Sequence, residues 1–300
     1  MPYLWMLIGS VCFAAMALLA ESLRDQFTYP WITMVRSGIA TTLAIALTLL
    51  GGAQLVFLRP VTLWIRSLSG WASMICGFYA ITHYDVEIVL ALTNMYPLWV
   101  AILSWPLLGK TPSLKTWLAL FVSCIGMWLV YASSISFDTI QTSRSYNPRL
   151  AIPMAVLAGM LSGVALINLH RVKHIDTRAV VAHFSAVATV LSFVVWIFLP
   201  VSPPVDVVDR ASVLRLLGVG LAATLGQICL TMAFSTGAPA QVSVVGLSQV
   251  VVAVIVKFII EGRIPTAGSM LGMSLVVAST IWVILSHSPR RESVSPSGTP

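Results

Sequence analysis

The sequence predicts an all-α integral membrane protein of about ten transmembrane helices, built as two inverted-topology five-helix repeats. Three observations predict it. Of 300 residues, 58% are hydrophobic and only 9% are charged, where a soluble domain carries roughly a quarter charged. A surface so poor in charge requires lipid as its second solvent. The apolar residues also come in continuous stretches of about 20, the number that takes a helix through about 30 Å of hydrocarbon. Barrel strands would alternate instead. Finally, the order of helices, turns and corners in the first half recurs in the second.

Charged residues and Pro/Gly clusters cut the chain into helices at 3–22, 31–50, 67–84, 88–108, 115–134, 150–170, 179–199, 214–235, 240–260 and 267–286. The segment 216–256 carries no charge and is too long for one span. Ser235-Thr236-Gly237-Ala238-Pro239 supplies the turn that divides it. The first helix has no basic residue before it, so it reads as a retained span rather than a cleaved signal. A first repeat over 1–135, a polar linker at 136–149, a second repeat over 150–286 and a disordered cytoplasmic tail at 287–300 complete the layout.

The net charge of +7 comes from scattered single residues, which leaves no basic face for nucleic acid. Lys and Arg instead report orientation. With the N-terminus inside, inner loops hold Arg59, Arg66, Lys110, Lys115, Arg171, Lys173, Arg178, Arg290 and Arg291, while most acids fall outside. Both termini are thus expected to be cytoplasmic, and the composition suits a bacterial cytoplasmic membrane. Cys12, Cys76, Cys124 and Cys229 sit in apolar runs without metal or disulfide spacing.

Gly70 to Tyr131 and Gly220 to Leu285 each hold a Gly-containing helix, a turn, an apolar helix, a charged corner with Pro and a last helix of small residues. The corners are Leu108-Gly109-Lys110-Thr111-Pro112-Ser113 and Ile260-Glu261-Gly262-Arg263-Ile264-Pro265. An odd number of spans per repeat turns the second copy upside down, a common basis for alternating access. Arg36 after Tyr29-Pro30, Asn94-Met95-Tyr96-Pro97, the Gly109-Lys110 corner, the Gly126 helix and the Glu261 corner together resemble the drug/metabolite transporter superfamily, EamA type. The resemblance runs to about residue 286 and implies a transporter of amino acids, drugs or similar metabolites. Lys110 stands where the family usually has Glu, and Glu21 where it often has a basic residue.

Ionisable and polar groups inside hydrocarbon are the default functional candidates. Pro97 removes a backbone bond in the fourth helix, with Asn94, Tyr96 and Trp99 around it. That is either a substrate surface of freed carbonyls, amide and aromatic walls, or a packing kink. Ser248-Gln249 is the counterpart in the second copy. Tyr79, Asn168, His183 and Gln227 join Asn94, Tyr96, Trp99 and Gln249 as candidate lining residues. Glu21, Arg36, His83, Pro97, Lys257 and Glu261 are candidates for coupling or gating. For Lys257 and Glu261, four apart, a structural ion pair is the alternative. Arg36 could instead be neutralised by Glu21, Asp25 or a headgroup. The histidines could be satisfied core residues or proton carriers. Gly159…Gly163 and Gly268…Gly272 read as close-packing faces within the bundle.

The expected activity is movement of a small polar or amphipathic metabolite by alternating access, with export favoured. Few buried cations argue against a polyphosphate substrate. No catalytic set, metal site or cofactor is expected; the alternatives are a lipid-acting membrane enzyme or a non-transporting subunit. The expected partners are the small-molecule substrate and the bilayer, with no nucleic acid, the protein being a monomer or homodimer.

Overall fold

The computed structural model describes residues 1–23, 26–27, 29–83, 89, 92–134, 148–198, 209–261 and 266–286. The described helices are α1 (Pro2–Glu21), α2 (Tyr29–Leu50), α3 (Val61–His83), α4 (Tyr96–Leu108), α5 (Leu114–Ser134), α6 (Pro148–Arg171), α7 (Thr177–Phe198), α8 (Arg210–Thr236), α9 (Pro239–Gly246), α10 (Ser248–Glu261) and α11 (Ala267–Leu285). Among the described residues, eight segments are long and apolar enough to span a membrane, with α9 and the start of α10 counted as one. The 13-residue α4 is the shorter apolar helix. The 23-residue α3 completes the bundle; it carries Arg66, Ser67, Ser69 and Ser73.

Sequence chemistry explains the helix ends. Proline opens α1 and α9, where its missing N–H is one of the unpaired first-turn groups anyway. Asp209 caps α8 by accepting from the Ser212 N–H at 2.9 Å, and Thr266 caps α11 through the Ser269 N–H at 3.2 Å. Gly109 ends α4 at φ 65°, a left-handed cap that a side chain would strain.

The four most extensive helix contacts all cross between the halves: α3 with α6, α1 with α8, α2 with α7, and α5 with α11. Exchange each helix for its counterpart in the other repeat. The α3–α6 contact becomes α8–α1, while α2–α7 and α5–α11 map onto themselves. These pairs run antiparallel. Along α3 and α6, Gly70 approaches Ala165 and Gly77 approaches Ala158, with Ser73 bonded to Ser162 at 2.7 Å between them. Along α1 and α8, Gly9 meets Cys229, Phe13 meets Gly226 and Leu19 meets Gly218.

The α5–α11 contact shows the inversion most directly. A Cβ on Gly126 would fall 2.6 Å from the Gly272 carbonyl oxygen, and one on Gly272 would strike the Gly126 carbonyl. The two sequences around them, Gly126-Met127-Trp128-Leu129-Val130-Tyr131-Ala132-Ser133 and Gly272-Met273-Ser274-Leu275-Val276-Val277-Ala278-Ser279, align without a gap. In that register Ser123 matches Ser269 and Ser133 matches Ser279. The hydroxyl pairs are Ser123 with Ser279 and Ser133 with Ser269, so each bond is the two-fold image of the other. Small residues at this crossing let the backbones touch, which is how helices associate without a hydrophobic drive in lipid.

Two differences from the sequence expectation matter. Helix α3 starts at Val61, so Arg66 is not in an inner loop but inside the bundle at 3% exposure. The ninth span is not one helix: it breaks at Leu247. Residues 136–147 of the linker, the tail and residues 262–265 of the second corner lie outside the described residues; 148–149, expected in the linker, instead open α6.

Candidate functional site

The fourth span is also broken. Leu92 and Thr93 are helical, Asn94 and Met95 form a turn, and α4 begins at Tyr96. Pro97 therefore occupies the first turn of a new helix rather than kinking a continuous one. Its effect is to fix where α4 starts. In the second copy α9 stops at Gly246 and α10 starts at Ser248, with the Leu247 N–H bonded to the Val244 carbonyl and the Val250 N–H to the Leu247 carbonyl, both at 3.1 Å.

The two breaks meet. The Gln249 amide donates to the Asn94 carbonyl oxygen at 3.3 Å, and the Asn94 amide donates to the Tyr131 hydroxyl at 2.8 Å. Tyr96 covers the second break: a Cβ on Gly246 would stand 2.5 Å from its hydroxyl oxygen. The Ser248 hydroxyl is buried with no partner. At this point the N-termini of α4 and α10 both carry partial positive charge from their unpaired first-turn N–H groups.

The remaining candidates divide between a second polar cluster and packing positions. Arg66 donates from Nη2 to the Gln227 carbonyl oxygen at 3.0 Å, and its guanidinium carbon lies 3.9 Å from the Phe184 ring centroid. Next to it, Ser67 bonds His183 Nδ1 at 2.8 Å and Trp64 meets the His183 ring edge-on at 4.8 Å. Arg66 Nε and His183 Nε2 are both buried without partners. Trp99 packs on α6, where a Cβ on Gly163 would fall 2.8 Å from the Trp99 Cβ. Asn168 donates to its own helix at the Val164 carbonyl, 2.9 Å away, and its carbonyl oxygen is buried and unpartnered. Tyr79 is half-buried in α3.

Arg36 is held by sulfur. Its Nη1 lies 3.2 Å from Met16 Sδ and its Nη2 2.8 Å from Met74 Sδ. The side chains of Glu21, His83, Lys257 and Glu261 lie outside the described residues, as does Asp25. Tyr131 is not among the sequence candidates, and Arg66 is expected there only as an inner-loop residue. Tyr131 sits in a run whose register with the Gly272 segment would have marked it. Arg66 sits four residues before Gly70 in a run without acid, and a positive charge near a helix start reads as a loop residue.

Two antiparallel five-helix halves with a broken fourth span in each, joined at the breaks, define an inverted-repeat membrane protein. The chain belongs to the EamA-like transporter family, whose sequence profile matches residues 1–132 and again 149–285. It is 28% identical over 279 residues to the pseudopaline exporter CntI of Pseudomonas aeruginosa, covering 91% of this chain and 92% of that one. An uncharacterized transporter of Helicobacter pylori is 22% identical, with 93% of each chain covered. A probable transport protein of Saccharomyces cerevisiae is 23% identical over 79% of this chain and 71% of its own. A crystal structure at 16% identity superimposes with a TM-score of 0.79 over 94% of this chain and 98% of its own, which shows the shared fold.

Proposed function

We propose that this chain exports a small polar or amphipathic metabolite across a bacterial cytoplasmic membrane, its two halves rocking around the paired helix breaks, with both termini cytoplasmic. The observation that carries this reading is the Asn94–Gln249 bond, which joins the break of one repeat to the break of the other. Inverted repeats are related by an axis in the membrane plane, so counterpart elements that touch straddle that axis near mid-depth. A site there is equally reachable from either side. Broken helices at that depth present amide groups and positive helix ends to a solute. Export is supported by the name of the Pseudomonas relative.

Under this reading Asn94, Gln249, Tyr96, Trp99, Gln227 and His183 line the path, with Tyr79 and Asn168 beside it. Arg36 and Pro97 hold the geometry. Glu21, His83, Lys257 and Glu261 are proposed to act in coupling or gating. The test is efflux from proteoliposomes preloaded with a metabolite mixture and read by mass spectrometry against empty liposomes. Saturable loss of one chemical class is expected, with Asn94→Ala and Trp99→Ala reducing it in folded protein. Wild-type rates in both variants would dismiss the proposed lining. No efflux of any solute by folded protein would dismiss transport.

A further inference from the structure

We infer that Arg66 and Gln227 form a carboxylate subsite, so that the transported solute carries a carboxylate. This rests on the transport reading above. Arg66 stays charged at any physiological pH, and it is 3% exposed. Among the described residues no carboxylate lies within ion-pair distance of it. The neighbours it does have are neutral: the Gln227 amide oxygen at 3.0 Å and the face of Phe184 at 3.9 Å. An amide oxygen and an aromatic face orient a guanidinium but supply no counter-charge, and among the described residues no acid supplies one. A buried cation in that state is costly unless a counter-charge arrives.

The guanidinium also has unused donors. Nε is buried without a partner. The absence of a side chain at Gly70 lets Phe184 and the Arg66 Nη1 pack close to the α3 backbone, where a Cβ would stand 3.0 Å and 3.2 Å from them. A second unpartnered nitrogen, His183 Nε2, belongs to the adjoining residue pair, in which Ser67 engages Nδ1. A planar fork, fixed on one side by an amide and stacked on a ring, is arranged for a planar two-oxygen anion. Because folding has already stripped water from the arginine, a carboxylate arriving there gains a charge-assisted bond without that desolvation cost.

The test uses reconstituted full-length protein and a mixture of amino acids, simple monocarboxylic acids and the matching carboxamides, with efflux followed by mass spectrometry. The wild type is expected to release acids and retain their amides. Arg66→Gln is expected to lower acid efflux by about tenfold or more, the loss that accompanies removal of one charge-assisted partner. Gln227→Glu separates function from folding. It places a carboxylate against Arg66, so thermal stability should rise while acid efflux falls, an outcome that a purely structural arginine would not give. Efflux of amides at the rate of acids, or full acid efflux by Gln227→Glu, would overturn the inference while leaving transport standing. Stabilisation of the wild type by chloride as strongly as by the acids would mark a generic anion site and also overturn it. No efflux of any member would remove the transport reading, and this one with it.

Discussion

Helices α3 and α8 hold equivalent places in the two repeats, and what they bury differs. Gly70 of α3 lies against Phe184 of α7, and Gly220 of α8 lies against Ile39 of α2, the second helix of the opposite half in each case. Four residues before Gly70 stands Arg66, buried at 3%. Four residues before Gly220 stands Leu216, buried at 9% among Leu23, Phe27, Ile32 and Val219. In α8 the arginine has moved one place along, to Arg215, and is exposed. Gln227, which holds Arg66, matches the buried Gly77 in the same register. The frame is two-fold and the charge is not. Symmetric contacts such as Gly126 on Gly272 serve packing, whereas a buried cation present in only one copy has no packing reason to exist.

The largest expected effect breaks the frame itself. Gly126→Leu drives a side chain into the Gly272 carbonyl, a backbone atom that cannot turn aside. Overpacking of this kind costs about 3 kcal/mol or more where the backbone must shift. Little monodisperse protein should survive extraction, and Gly272→Leu should behave alike because the contact is reciprocal. A normal yield and melting temperature for either would show that the α5–α11 crossing does not hold the halves together.

Next in size is the transfer of charge from one copy to the other. Leu216→Arg buries a second cation in an apolar cluster and should lower stability by about 2–4 kcal/mol. The converse, Arg66→Leu, replaces a buried charge that has no acidic partner among the described residues by an apolar group and should be neutral or stabilising. Melting temperatures in one detergent decide it. If Arg66→Leu proved the more damaging of the two, the arginine would be structural and the contrast between α3 and α8 would lose its functional meaning.

These contrasts show what could be read from the chain and what could not. The spans were legible because a run of apolar residues has one stable solution in lipid. The break before Pro97 was announced by an imino acid. The break at Leu247 carries no such residue: Gly246-Leu247-Ser248 reads as ordinary apolar helix, and only packing under Tyr96 reveals it. Asn94 and Gln249 could be nominated separately as polar residues in apolar helices, yet their bond depends on how the halves cross. Arg66 was misplaced for a physical reason. Charge near a helix start is most often solvated, and nothing local distinguishes an arginine that turns inward.

A smaller effect tests whether the two breaks act as one unit. Asn94→Ala and Gln249→Ala should each reduce efflux about tenfold, close to 1.4 kcal/mol. Residues sharing a bond are not additive, so the double variant should lose little more than the worse single. Multiplied losses in the double would mean that the breaks contribute independently and that the 3.3 Å bond between them is incidental.

The finest probe of the two-fold is the pair of serine bonds across α5 and α11. Ser123→Ala removes the bond to Ser279, and Ser133→Ala removes its image to Ser269. An interhelical hydrogen bond in a membrane contributes about 0.6 kcal/mol, and both abandoned hydroxyls keep a local partner: Ser279 the Val276 carbonyl, Ser269 the Thr266 hydroxyl. Symmetry alone therefore predicts two small and equal drops in melting temperature. The surroundings differ, however. Ser123 is fully buried at 0% exposure, whereas Ser133 is only partly buried, so water can enter where the Ser133 hydroxyl was and bond the abandoned Ser269. Ser123→Ala should be the more costly of the two by a few tenths of a kcal/mol. A reversed order would mean that burial differs between the two ends of this interface in the opposite sense to that described, although the bonds themselves are two-fold images.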